Sequence, residues 1–175
     1  HELSPVLKRF IKSYPQVNVD IEYSRPNKVN EDVINHVIDI GIVAYPTPRP
    51  QIDIIPLGSD PLVLVCSPEH QLARKKRIDI ASLDGQRFIG FERDIPTRKE
   101  TDRVLRRYGI EGHYVMELDN IETIKRAVEI GRGIAILPEP SLAQEVESGT
   151  LVAVHLADHT FLRPLGIIHR QGKHF

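Results

Sequence analysis

Read for polarity alone, the chain alternates between a helical period and a strand period. Leu3, Val6, Leu7, Phe10, Ile11 and Tyr14 recur at helical spacing before Pro15, which predicts an amphipathic helix stopped by the proline. Val17, Val19, Ile21 and Tyr23 then alternate with Asn18, Asp20, Glu22 and Ser24, as in a half-exposed strand near a sheet edge. A helix from about Asn27 should carry Val29, Val33, Ile34 and Val37 inward, and Ile40 to Ala44 reads as a central parallel strand. After the proline-rich loop Pro46 to Pro50, strands are expected at Ile52 to Leu57 and Leu62 to Cys66. The second half repeats the theme with a strand from Arg87 to Phe91, a helix from Thr97 to Tyr108 and a strand from His113 to Leu118. A helix capped by Asn120 then presents Ile121, Ile124 and Val128 on one face, stops at Gly131 and Gly133, and leads into a doubly buried strand ending at Pro138. A helix from Pro140 to Glu147 ends at Gly149, and Leu151 to Leu156 and Leu165 to His169 supply the last strands.

This alternation predicts an α/β fold with parallel sheets. The segments through Asp60-Pro61 and Ala157 to Pro164 are natural crossings, giving two Rossmann-like lobes joined by two crossover strands. Residues 1–61 and 160–175 would form lobe I, and residues 62–159 lobe II. A cleft in such a fold collects strand C-termini and helix N-termini. From lobe I that nominates Ser24, Arg25, Ala44, Tyr45 and Pro46 as ligand-binding residues; from lobe II it nominates Arg93, Ile95, Pro96, Thr97, Asn120 and Ile121. Each has a plainer reading beside it. Thr97, with Glu100 three residues on, makes a capping box, and Asn120 is a cap, whether or not either touches a ligand. Arg25, Arg93 and Arg98 form either an anion clamp or ordinary solvated surface. Tyr45 stacks on a ligand or simply covers the hinge.

Composition narrows the chemistry. The 175 residues are 41% hydrophobic, enough for a substantial core, and 23 basic against 24 acidic residues leave no general attraction for nucleic acid. Any DNA-contacting part therefore lies elsewhere. Cys66, the single cysteine, sits in an apolar run and reads as a buried small hydrophobe. The eight histidines show no metal-ligand spacing, no nucleophile or phosphate-loop motif occurs, and no apolar run reaches transmembrane length. Neither a cofactor nor a metal is expected, and no convergent acid–base set suggests an enzyme. Arg74 to Arg77 is a solvated basic loop, with DNA contact as the alternative.

Several anchors fall in the order seen in one family. They are Leu7-x-x-Phe10-x-x-x-Tyr14-Pro15-x-Val17, Val33 to Val43, Pro56-Leu57 followed by Leu62 to Val65, Ser67 to Ala73, and Gly131-x-Gly133-Ile134-Ala135-Ile136-Leu137-Pro138. In this series the chain resembles the effector-binding domain of LysR-type transcriptional regulators; Asn35 to Asp39 departs from the pattern by lacking its glycine. The resemblance implies a fold similar to type-2 periplasmic binding proteins, a small effector, expected to be anionic, held between the lobes, and an upstream helix-turn-helix that contacts promoter DNA. It also implies a cytoplasmic homodimer, of higher order in the full-length protein, in which the first helix meets the helix from Glu122 of another copy. The family's first strand and closing helix would lie beyond His1 and Phe175. The alternative is a periplasmic or secreted solute-binding protein of similar fold.

Overall fold

The computed structural model describes residues 3–175; His1 and Glu2, with the side chains of Leu3 and Ser4, lie outside the described residues, and with them the place expected for Leu3 on the first apolar stripe. In chain order the elements are α1 (Leu3–Ser13), α2 (Pro26–Ile34), β1 (Ile40–Ala44), β2 (Ile52–Cys66), β3 (Arg77–Ile78), β4 (Arg87–Phe91), α3 (Pro96–Arg107), β5 (His113–Leu118), α4 (Ile121–Glu129), β6 (Ala135–Pro138), α5 (Ala143–Ser148), β7 (Val152–Leu156) and β8 (Leu162–Arg170). Six strands join in the order β1-β8-β2-β7-β3, with β6 also on β2, while β4 and β5 form a parallel pair. The sheet is mixed rather than parallel as expected: β1, β2, β6, β7 and β8 pair antiparallel, while among the described residues β3 with β7 and β4 with β5 run parallel, with one more parallel bridge between Phe88 and Ile134.

The axis of the fold is β2, which replaces the two strands expected there with one strand of 15 residues, irregular only between Pro56 and Gly58. Its first part, Ile52 to Pro61, pairs with β8, and its end, Leu62 to Cys66, enters the main core and pairs with β6 and β7. Two bodies of packing follow. Val33, Val43, Ile52 and Ile168 make the smaller core, joined by Val29, Ile34, Ile38 and Ile54. The larger body has two clusters, one on each face of Leu62 to Cys66: Leu64 and Cys66 pack with Phe88, Leu105 and Phe161, and Val63 and Val65 with Ile124, Val128 and Leu137. This strand segment is apolar at every position because both its faces are covered. Cys66 is fully buried, and burial pushes its thiol up to about 11.

Other expectations of the first lobe need correction. Residues 17 to 25 form no strand: alternation marked a solvent-facing segment, and its backbone makes no ladder bond with any described residue. Val17, Ile21 and Tyr23 are exposed there. The strand β1 is not central among the described residues; it pairs only with β8, leaving Ile40 and Ile42 about half exposed. Val37 is exposed because α2 stops at Ile34 and His36 turns the chain with φ 60°. Helix α1 forms, yet its stripe of Val6, Phe10 and Ile11 is uncovered in the described chain.

Candidate functional site

A cavity of about 230 Å³ opens where the two bodies meet. The first turn of α2 brings Pro26, Asn27 and Asn30, and the end of β1 brings Val43, Ala44, Tyr45 and Pro46, followed by Thr47 and Arg49. The larger body contributes Pro96 and Lys99 from α3. Pro96 starts α3 because its fixed φ is already helical, and Lys99 lies one turn on, above the same surface. The wall is apolar in its prolines, Val43 and Ala44, and polar in two amides, a phenol and a hydroxyl. Among the described residues its only charges are the cations Arg49 and Lys99.

Tyr45 closes one side in a conformation few non-glycine residues adopt, with φ 51°. Both ends of it are tied to the strand that joins the bodies: its N–H donates to the Pro164 carbonyl at 2.8 Å and its hydroxyl to the Leu162 carbonyl at 3.4 Å. Burial, with Glu100 nearby, pushes the phenol up to about 12, against the pull of Arg163 and Arg103. At neutral pH it is therefore an uncharged donor.

Of the residues nominated from sequence, Ala44, Tyr45, Pro46 and Pro96 come together on this wall. Ser24 is exposed outside it. Arg25 bridges the two bodies instead, donating from Nη1 to Glu92 at 2.8 Å and from Nη2 to Asp94 at 2.6 Å. Its hydrogen bond holds the Asp94 carboxyl below the usual range. Arg93 is exposed, 3.8 Å from Glu117. Arg98 is buried and donates to Asp102 at 2.8 Å, Glu117 at 3.0 Å and the Phe91 carbonyl at 2.7 Å, with its guanidinium 3.4 Å over the Tyr114 ring. An anion clamp of these three arginines is thus not formed; each already faces carboxylates.

The capping box at Thr97 is absent as well. Ile95 holds the cap position without a side-chain bond, because Pro96 begins the helix one residue before the expected start. Ile95 itself is core, Thr97 is buried with its hydroxyl 3.3 Å from Arg163 Nε, and Glu100 pairs with Arg103. Asn120 does cap α4, accepting from the Thr123 N–H at 2.9 Å, but neither it nor Ile121 borders the cavity. Sequence reasoning missed Asn27, Asn30, Arg49 and Lys99. The signal for two of them was available, since Asn30 and Lys99 each sit three residues after a position at the start of a helix. Among the described residues no cluster of His, Cys, Asp and Glu could hold a metal ion, and no helix is long and apolar enough to cross a membrane.

Residues 1–174 match the family model described as the LysR substrate binding domain. A chain named as a probable RuBisCO transcriptional regulator of Cyanophora paradoxa is 29% identical over 171 residues, covering 94% of this chain and 53% of that protein. The HTH-type transcriptional regulator CysL of Bacillus subtilis is 26% identical over 167 residues, covering 95% and 56%. The regulatory domain of CcmR from Synechocystis PCC6803, solved in complex with 2-PG, superposes with a TM-score of 0.88 at 25% identity over 99% of this chain and 83% of that one. The chain spans about half the length of the curated relatives it matches.

Proposed function

Because the chain belongs to the LysR-type family of transcriptional regulators, as a substrate-binding domain matched over residues 1–174, we propose that the cavity between its two bodies receives a small anionic effector. The observation that carries this reading is the wall itself: both bodies contribute to it, and among the described residues Arg49 and Lys99 are its only charges. A ligand can shift the arrangement of two bodies only if it touches them differently in each arrangement, and a cavity walled by both meets that condition. The size suits a metabolite of modest dimensions, with the prolines and Val43 covering its carbon skeleton. That CcmR was solved with 2-PG in a domain of the same fold supports a small-molecule effector.

The lobes of this reading are residues 1–61 with 160–175, and residues 62–159; the packing clusters support this division except at Phe161, which joins the larger core. Binding is the whole chemistry; no residue is assigned a catalytic role. The regulator as a whole works as a cytoplasmic homodimer or higher oligomer and reaches promoter DNA through a helix-turn-helix that precedes this chain. The uncovered stripe of α1 supports the pairing of α1 with α4 of another copy. The solute-binding alternative loses its ground to the family match.

The test is calorimetric titration of the full-length regulator with small carboxylates and phosphates, 2-PG among them. Arg49→Ala and Lys99→Ala should each weaken the best anion roughly tenfold or more, the usual scale for a hydrogen bond to a charged group. Unchanged affinity in both variants would end the anionic reading.

A further inference from the structure

Arg163 on β8 does not itself border the cavity, but it is tied to residues beside the wall. Its two chain neighbours are the residues whose carbonyls hold Tyr45, and its Nε donates to the hydroxyl of Thr97, which follows Pro96. Tyr45 and Pro96 both border the cavity, one from each body. The Arg163 side chain is only 20% exposed, yet its nearest carboxylate is Asp60, the residue opposite it on β2, at 3.9 Å. The contrast with the most buried cations of this chain is sharp. Arg98 has two carboxylates within 3.0 Å, and Lys125 has two within 3.1 Å.

A cation withdrawn from water without a close counter-charge is costly, so folds either pair it or use it. Neither Nη group of Arg163 donates a hydrogen bond among the described residues. Among the described residues no solvent-excluded side-chain nitrogen lacks a partner, so both Nη groups keep some exposure to solvent. Burial also lowers the proton affinity of this guanidinium, with Asp60 and Tyr45 offsetting it in part, as expected of a charge short of partners.

We propose that Arg163 reads the charge of the effector: a carboxylate or phosphate group in the cavity supplies the counter-charge that Asp60 gives only at long range. The inference rests on the reading that this cavity is the effector site. Arg163 is a binding residue set on the strand that joins the bodies, and it touches Thr97 in the first turn of α3. An anion engaging it is therefore held simultaneously to the joining strand and to the larger body. The fork of the guanidinium suits a planar or tetrahedral oxyanion taken by two parallel hydrogen bonds.

The experiment is thermal unfolding of the full-length regulator against inorganic phosphate, with potassium chloride matched for ionic strength, for wild type, Arg163→Gln, Asp60→Asn and Lys99→Ala. Wild type should be stabilised saturably by phosphate. Arg163→Gln should melt no lower than wild type without phosphate, since an under-paired charge is removed, and should lose the phosphate response at least tenfold. Asp60→Asn removes the competing carboxylate and should shift the phosphate midpoint to lower concentration. Arg163→Gln that keeps its response while Lys99→Ala loses it overturns the role of Arg163 and leaves the cavity reading standing. Should Arg163→Gln fold poorly, Asp60→Asn decides, and an unchanged midpoint there overturns the proposal. No saturable response in wild type overturns both.

Discussion

At the scale of single residues, the two expected helix caps separate local from tertiary information. Asn120 is a cap because the residues around it alone put its side-chain oxygen over the Thr123 N–H. Asn120→Ala should cost about 1 kcal/mol, read as a lower urea midpoint, with binding at the cavity unmoved. Thr97 has a matching pattern but follows Pro96, which takes over the start of α3 and leaves the hydroxyl to Arg163. The arginines make the same point. That Arg25, Arg93 and Arg98 face carboxylates depends on Glu92, Asp94, Asp102 and Glu117, and which of these comes close is settled by β4, β5 and α3 packing together. Sequence spacing could name the loops bordering the cavity, hence Ala44, Tyr45, Pro46 and Pro96, without revealing which cations line it.

At the scale of elements, the best-read stretch is the one whose burial is most uniform. Helix α4 and strand β6 fall where the apolar period places them, and Leu62 to Cys66 is apolar because both its faces are covered. The sequence misleads where one face is wet: among the described residues, 17 to 23 alternate without pairing, and β1 looks central while sitting at an edge. Strand direction was out of reach too, since β8 comes back from the far end of the chain to lie antiparallel between β1 and β2. Polar residues also join elements. Lys125 of α4, 1% exposed, is held by Glu145 of α5 at 3.1 Å, by Glu122 at 3.0 Å and by the Ser141 carbonyl at 2.9 Å. Glu145→Ala should cost about 3 kcal/mol, the lower end for stripping a partner from a buried charge, because two partners of Lys125 remain. Burial pushes the Glu145 carboxyl up, but hydrogen bonds from Lys125 and Arg126 outweigh it and leave it below the usual range. Its contribution is then full above the unfolded value of about 4.3 and fades as pH falls through the folded one. Urea midpoints from pH 3 to 7 should accordingly drop less steeply on the acid side in Glu145→Gln than in wild type.

At the scale of the whole molecule, two sets of contacts span the bodies at different depths. Near the surface Arg25 meets Glu92 and Asp94, with all three side chains at least 41% exposed, so salt weakens the bridge readily. Arg25→Ala should speed hydrogen exchange in the first turns of α2 and α3 while leaving the melting midpoint in place; equal exchange rates would show that the bridge does not hold the bodies together. Deeper in, Tyr45, Arg163 and Thr97 link them along β8. The 15-residue span of β2 adds a mechanical consequence. With no loop between its halves, turning one body against the other must be absorbed as twist along the β2–β8 ribbon, as in a torsion spring. Pro56 and Pro61 lack the amide proton of a full ladder, and Gly58 sits at φ 99° in the irregular step, so the ribbon is most compliant between them. The stiffness of that short stretch sets how much ligand energy becomes rotation, which makes residues remote from the cavity a control on the gain of the sensor.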